Sequence, residues 1–415
     1  MDRGTGFDLD RWMERPIPRR RFLGGAGKGA MGLSLAAILA ACSKDESPKG
    51  GGSPSVEPLP PIAGSVKVAQ WPLYIDRARG GHRPTLEAFT KETGIQTDYR
   101  EIISDNQNWF AKLYPQLSRG QATGWDLMCI ADWLIHEMTL SGFLEPLHWD
   151  ALPTAQANML DAFRDPVYDR GNAYSVPWQG GVTGIAYYPD LVGGDITAMA
   201  DLWNPKLEGR VGMLTEMVDT MTLTLLMLGI DPQTATLDDA KKAQEKLIEQ
   251  RDAGIVRRYY GQDYVQDLVD KNTYASMAWS GDVFYWKYIG GASDLEFIVP
   301  EEGGIIWASG DSIPVGADHP ADAHAFMDFF YKPEIAVQVT DWVLYMTPVE
   351  GVQDLMREKA KAATGGDRRY YETLSESPLL FPPKDPKQAN LYEYKAFSGD
   401  EFEAWASLFG DVTNA

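Results

Sequence analysis

The chain has 415 residues, with 59 Asp or Glu against 38 Lys or Arg, a formal net charge of −21 at pH 7. Such a surface repels nucleic acid and favours cationic partners. Five histidines and two cysteines give neither a disulfide framework nor a zinc set at ligand spacing. The length exceeds what one compact core normally takes, so two lobes are expected.

Export signals come first along the chain. Arg19, Arg20, Arg21, Phe22 and Leu23 form the twin-arginine arrangement R-R-x-F-L, followed by an uncharged apolar run from Gly29 to Ala41. That run is shorter than the roughly 20 residues a spanning helix needs. Leu39-Ala40-Ala41-Cys42 resembles a lipobox. Residues 1–41 therefore read as a twin-arginine lipoprotein signal peptide, with Cys42 as the lipidated first mature residue. The chain from Cys42 onward carries 31 basic and 55 acidic side chains, formally −24. Residues 42–64, rich in Ser, Pro and Gly, are expected to be a flexible tether spanning roughly 25 Å. Cys129, in the apolar run DLMCI, reads as an inert buried thiol.

From Ser65 strands and helices alternate. SVKVAQ, IQTDY and DLMCI read as strands, and PTLEAFTKETG, NWFAKLYPQLSRG and DWLIHEMTLSG as helices. Gly94 and Gly142 act as stops, and Asp132 as an N-cap. This order predicts a parallel sheet with helices on both faces, binding ligands beyond the carboxyl ends of its strands. Trp71 and Tyr74, and Asp132 and Trp133, fall on that edge. AYSVPW and TGIAYY read as paired strands, GRVGML as a strand, TLTLLMLG and LDDAKKAQEKLIEQRDAG as helices. NTYASMAWSGD is a strand entering a helix, LEFIVP and GGIIWAS are strands, and two helices meet at Lys332-Pro333. The tail after Glu350 is helical in places, around a Pro-rich loop, FPPKDP.

The chemistry narrows by elimination. His319 and His324 are the one close histidine pair, and they fit a loop and helix start better than a metal site. No calcium loop, G-x-S-x-G elbow or phosphate-cradling loop occurs. Adjacent tyrosines, Tyr187-Tyr188 and Tyr259-Tyr260, keep a ferric-ion receptor as an alternative. Carboxylates such as Glu216 and Asp219 keep an exported hydrolase as another. What stands out is Trp and Tyr at strand ends with isolated carboxylates, a combination suited to a flexible alkylammonium ligand. In AWSGDVFYWK, four aromatic residues surround one carboxylate, Asp282. Asp282 serves a metal, a proton, the amides of the helix that follows or a cationic ligand.

The segments QWPLY (70–74), FTKETGI (89–95), WDLMCIADW (125–133), AYSVPWQGGVTGIAYY (173–188), ADLWNPKLEGRVGML (200–214) and EEGGIIWASGDSIPVGA (301–317) resemble, in order, those of the spermidine/putrescine-binding proteins of bacterial ABC importers. The resemblance implies a two-lobed class II periplasmic-binding-protein fold, each lobe a mixed, mostly parallel α/β sheet flanked by helices. The lobes are expected at 65–181 plus 309–344 and 182–308 plus 345–415, with crossovers near Gly180–Gly184, Trp307–Ser309 and Leu344–Tyr345. It also implies a non-enzymatic, extracytoplasmic, lipid-anchored and monomeric receptor that closes on a polyamine and delivers it to a permease and ATPase, with no cofactor and no metal.

Position by position, the resemblance implies a ligand site of Trp71, Tyr74, Trp133, Glu216, Asp219, Trp279, Asp282, Trp307 and Tyr345. The family's usual Asp two residues after Trp307 is here Ser309. Asp311, on the same strand face, or Asp282 is expected to replace it. Ala131 and Pro72 likewise stand where the family carries hydroxyl residues. The particular amine stays open, and another cationic solute remains an alternative.

Overall fold

A computed structural model describes residues 58–413, apart from 104–105, 289 and 382–385. The expected signal peptide, Cys42 and most of the tether lie outside the described residues. Among the described residues ten strands run as β1 (Ser65–Gln70), β2 (Gln96–Glu101), β3 (Leu127–Ala131), β4 (Ser175–Tyr187), β5 (Val211–Leu214), β6 (Val256–Tyr260), β7 (Ala275–Trp279), β8 (Glu296–Ile298), β9 (Gly304–Ser312) and β10 (Leu391–Tyr392). AYSVPW and TGIAYY are not a pair: they form the single strand β4, buried along all its length. The Gly180-Gly181 step between them needs no turn, because extended glycine continues a strand. Gly181 is instead required by packing, since a Cβ there would lie 2.3 Å from Cζ2 of Trp307.

The chain folds into two compact units. The first holds residues 58–179 and Ala308–Phe381, the second Gly180–Trp307 and the described part of Pro382–Ala415. The passages between them thus lie at 179/180, 307/308 and 381/382. The third passage comes later than the expected Leu344–Tyr345. Helices Val352–Ala362 and Gly365–Ser375 stay with the first unit. They are tied there by Leu160 N–H donating to the Pro348 carbonyl (2.8 Å), Glu350 N–H to the Asn158 carbonyl (2.7 Å) and the Tyr371 hydroxyl to Asp341 (3.1 Å).

In the first unit β1 pairs in parallel with β2 and β3, and β3 pairs antiparallel with the Ser309–Ser312 end of β9. The helix Pro84–Thr93 closes on Gly94, whose φ of 77° releases the chain into β2. Its Phe89 packs edge-on to Phe326 and Phe329, both at 5.3 Å, on the helix Pro320–Phe330. Burying each such ring stabilises by about 1.5–3 kcal/mol. That helix also holds Asp322, fully buried, whose carboxylate accepts the amides of Ala63, Gly64 and Ser65 at 2.7–3.0 Å. The following helix, Pro333–Val343, begins at the expected proline break.

In the second unit β5 pairs in parallel with β6 and β7, while β4 pairs antiparallel with β7 and β8. β10 adds in parallel to the Gly304–Ile305 start of β9. The C-terminal helix Gly399–Thr413 packs on the helix Leu237–Asp252, where Gln244 Nε2 donates to the Leu408 carbonyl at 2.8 Å and Arg251 Nη1 to Asp411 at 3.0 Å. Among the described residues no helix is long and apolar enough to cross a membrane.

Candidate functional site

In the first unit an aromatic wall grows out of the turn after β1. Leu73 sits at φ 64°, a left-handed position that an L-leucine adopts only under constraint. The constraint is visible: Trp342 Nε1 donates to the Leu73 carbonyl (3.1 Å) and Trp178 Nε1 to that of Tyr74 (3.2 Å). The pinned turn sets Trp71 and Tyr74 with ring centroids 6.4 Å apart, and Tyr345 another 6.4 Å beyond Tyr74. Trp71 Nε1 donates to the Cys129 carbonyl at 3.0 Å, fixing the first ring to β3. Three of the expected residues are thereby brought together as rings in series; Tyr345 is buried, and the half-buried Trp71 and Tyr74 carry the quadrupole that attracts alkylammonium groups.

The end of β3 differs from expectation. Asp132 is not the N-cap of its helix; Ala131 holds that position, and Asp132 is the first helical residue. Its carboxylate accepts the Trp133 amide at 2.8 Å and the Ala308 amide at 3.1 Å, so it ties β3 to β9. Asn106 Oδ1 accepts the Ala131 amide at 3.1 Å. Trp133 is buried in the helix, only 6 % exposed. Ser309 faces Ala131 across the β3–β9 register, and Asp311 faces Cys129. Burial pushes the Asp311 carboxyl up to about 8.

In the second unit Glu216 is the N-cap residue of the helix Met217–Met227, and Asp219 stands in its first turn. Asp219 is 3 % exposed and accepts hydrogen bonds from the Thr183 hydroxyl and from the Tyr394 hydroxyl at 2.8 Å. Burial raises its pKa to about 6, and the bonds from Thr183, Tyr394 and Trp279 hold it from rising further. It is therefore largely ionised at neutral pH. Trp307 packs across Gly181.

The AWSGD segment works as a local network. The Trp279 amide donates to the Tyr264 hydroxyl (3.1 Å), which donates in turn to Asp282 (3.1 Å). Gln262 Nε2 reaches the same carboxylate oxygen at 2.9 Å. Tyr264 also meets the Trp279 ring edge-on at 5.6 Å. Ser280 Oγ accepts the Val182 amide at 3.1 Å, anchoring the helix start to β4. Asp282, 1 % exposed, thus orients Trp279 through Tyr264.

Thr183, Gln262, Tyr264 and Tyr394 were not predicted as parts of these arrangements. Thr183 lies in a strand whose every residue is buried, and Tyr394 is 175 positions from the acid it serves, so no local pattern marks either. Among the described residues no three His, Cys, Asp or Glu gather into a metal-holding group. Burial raises Tyr188 and Tyr260 to about 12 and Tyr259 further, which opposes the tyrosinates that a ferric site uses.

Residues 85–365 match the family model described as bacterial extracellular solute-binding protein. The spermidine/putrescine-binding periplasmic protein 1 of Haemophilus influenzae is 27 % identical over 302 residues, covering 72 % of this chain and 77 % of that protein. The putrescine-binding periplasmic protein PotF of Escherichia coli is 24 % identical over 334 residues, 75 % of this chain and 82 % of that one. Among solved structures, a putative spermidine/putrescine ABC transporter from Listeria monocytogenes superposes with a TM-score of 0.69 at 23 % identity, covering 84 % of this chain and 99 % of that one. The TpPotD lipoprotein of Treponema pallidum gives 0.67 at 18 % identity, covering 85 % and 100 %. These likenesses establish the two-lobed periplasmic-binding-protein fold.

Proposed function

The chain belongs to the bacterial extracellular solute-binding proteins, and on that premise we propose that it captures a polyamine of the putrescine/spermidine class for an ABC importer. The observation that carries the reading is Asp219, a buried carboxylate that accepts from two neutral donors, the Thr183 and Tyr394 hydroxyls. Such an acid strengthens a charge-assisted hydrogen bond from an ammonium group. In the first unit the half-buried rings of Trp71 and Tyr74 offer faces each worth up to ~2 kcal/mol to a desolvated alkylammonium, with the buried Tyr345 packed against Tyr74. In the second unit Glu216, Trp279 and Trp307 are assigned to ligand contact along with Asp219. Trp133 and Asp282 act as supports: Trp133 is packed in its helix and Asp282 steers Trp279 through Tyr264.

The relatives named above are described as transport receptors, which supports binding without chemical turnover. The ligand acts by its preference for one conformational state over another. The lipobox wording at Leu39–Cys42 supports an acyl anchor on Cys42. A single acyl chain holds only marginally, so more than one is inferred. A monomeric receptor beside a permease and ATPase completes the assignment.

Calorimetric titration with putrescine, spermidine and spermine tests the reading. Saturable heat with at least one of them supports it. No heat with any, together with saturation by a ferric salt or a sugar, overturns it.

A further inference from the structure

The first unit contains a buried acid that the proposed function leaves unused. Strand register places four side chains in one transverse row. Glu101 faces Gln70 across β2–β1, and Asp311 faces Cys129 across β3–β9. The pairing of Ala69 with Met128 puts Gln70 next to Cys129. The Cys129 thiol faces both the Gln70 amide and the Asp311 carboxyl. Gln70 Oε1 accepts the Trp71 amide at 3.0 Å, and Trp71 Nε1 holds the Cys129 carbonyl, so the first ring of the aromatic wall and the row share one frame.

Asp311 is 1 % exposed, and its Oδ1 has no hydrogen-bond partner in the protein. Every ionisable group packed around it is either uncharged or already paired. From β2, burial pushes the Tyr99 phenol well up, and Glu101 is bound to Arg77 and, at 3.0 Å, to Arg83. From β3, burial pushes the Cys129 thiol well up, and Asp132 is turned to the Ala308 amide. From the end of the helix Pro320–Phe330, burial likewise raises Tyr331. Residues 175–179 of β4 carry no ionisable side chain. Two residues along β9, on the same face and about 7 Å away, stands Ser309. Ser309 is level with Ala131, the carboxyl end of β3, where ligands meet sheets of this kind.

We propose that Asp311 is a proton-linked specificity acid, neutral in the empty receptor and ionised when an alkylammonium group settles at the Ser309 end of the strand. The carboxyl O–H bond breaks, its proton passes to bulk solvent, and the electron pair stays on the carboxylate facing the cation. The receptor thereby favours ligands with a fixed positive charge over neutral ones of equal shape. A unit charge about 7 Å away, at an effective dielectric near 20, favours the ionised form roughly 50-fold. Starting from a carboxyl that titrates at about 8, linkage then raises affinity about tenfold between pH 6.5 and 8 and releases about 0.7 proton at pH 7. Asp219, titrating at about 6, adds only about 1.3-fold and 0.1 proton over the same range. Alkylammonium groups stay protonated throughout.

The inference rests on the polyamine reading, and one experiment separates the two. Putrescine is titrated calorimetrically at pH 7 in phosphate and in Tris, whose ionisation enthalpies differ, and then across pH 6.5–8. The expected result is a buffer-dependent heat equal to about 0.7 proton and a tenfold rise in affinity. In Asp311→Asn the pH dependence is expected to fall to the small share of Asp219, with affinity near the low-pH value of the unaltered protein. Equal heats in both buffers, or a pH slope that persists in Asp311→Asn, overturn the inference while leaving the polyamine reading intact. Failure of every polyamine to bind at any pH overturns both. The unaltered protein alone decides the matter if the variant does not fold.

Discussion

Tyr394→Phe removes a single oxygen, and its effect follows from the surroundings of Asp219. The Tyr394 hydroxyl donates to that carboxylate at 2.8 Å, and burial has already raised Asp219 to about 6. At pH 7 the native acid is therefore about nine-tenths ionised. A hydrogen bond to a charged group contributes about 1.5–3 kcal/mol, so its loss moves the ionisation equilibrium roughly 10- to 150-fold toward the neutral acid. The ionised fraction at pH 7 falls to between about 0.5 and 0.06, and affinity for putrescine falls about two- to fifteen-fold with it. By pH 9 the carboxylate is recovered, and the ratio between variant and native protein approaches one. Calorimetry of both proteins at pH 7 and pH 9 measures this. A deficit of the same size at both pH values would refute the reasoning, since it would show that the hydroxyl acts by contact or packing and not by tuning the acid. No deficit at pH 7 would refute it equally.

Trp279→Ala, which removes a ring positioned by Tyr264, is expected to weaken polyamine binding by more than tenfold in a titration. Gly181→Ala brings a Cβ within 2.3 Å of Trp307 Cζ2 and displaces the indole, which tryptophan fluorescence and a weakened affinity should report. Asp311→Asn should alter stability as well as binding. The folded carboxyl lies near 8 against an ordinary 3.8, so the folded state holds the proton more tightly. That contribution is full below about pH 4 and is lost as pH rises through 8. Urea unfolding should show the native protein losing about 1.4 kcal/mol per pH unit between pH 5 and 7 relative to the variant. Parallel stability curves would rule this out.

The sequence made most of the fold readable because its periodicities are local. The β–α order from Ser65, the Gly94 stop and the break at Pro333 depend on neighbours within a few residues, and all three appear as expected. The errors share an opposite cause. AYSVPW and TGIAYY read as two paired strands, yet they are one strand, in which Gly181 gives room to Trp307, a residue over a hundred positions away. The tail 345–381, expected in the second lobe, belongs to the first unit through contacts distant in sequence, such as Leu160 N–H to Pro348 and Glu350 N–H to Asn158. The site divides in the same way. Trp71 and Tyr74 stand out in the sequence as aromatics following a strand, whereas Asp219 and Trp279 enter through the family resemblance. Whether Asp282 steers a ring or meets a cation depends on Gln262 and Tyr264, whose roles come from tertiary placement alone.

The grip of Asp322 on the amides of residues 63–65 has a mechanical consequence. Any pull arriving from the N-terminal side enters the protein at that carboxylate, because β1 starts at the last of the three amides it holds. The load passes into the helix Pro320–Phe330 and its Phe89–Phe326–Phe329 packing, and it bypasses the turn that carries Trp71 and Tyr74. Three bonds to one buried anion, from Ala63, Gly64 and Ser65 in turn, must give way before β1 is tugged. The first unit thus has a strain relief at the entry to β1, and the aromatic wall keeps its geometry when the chain is pulled there.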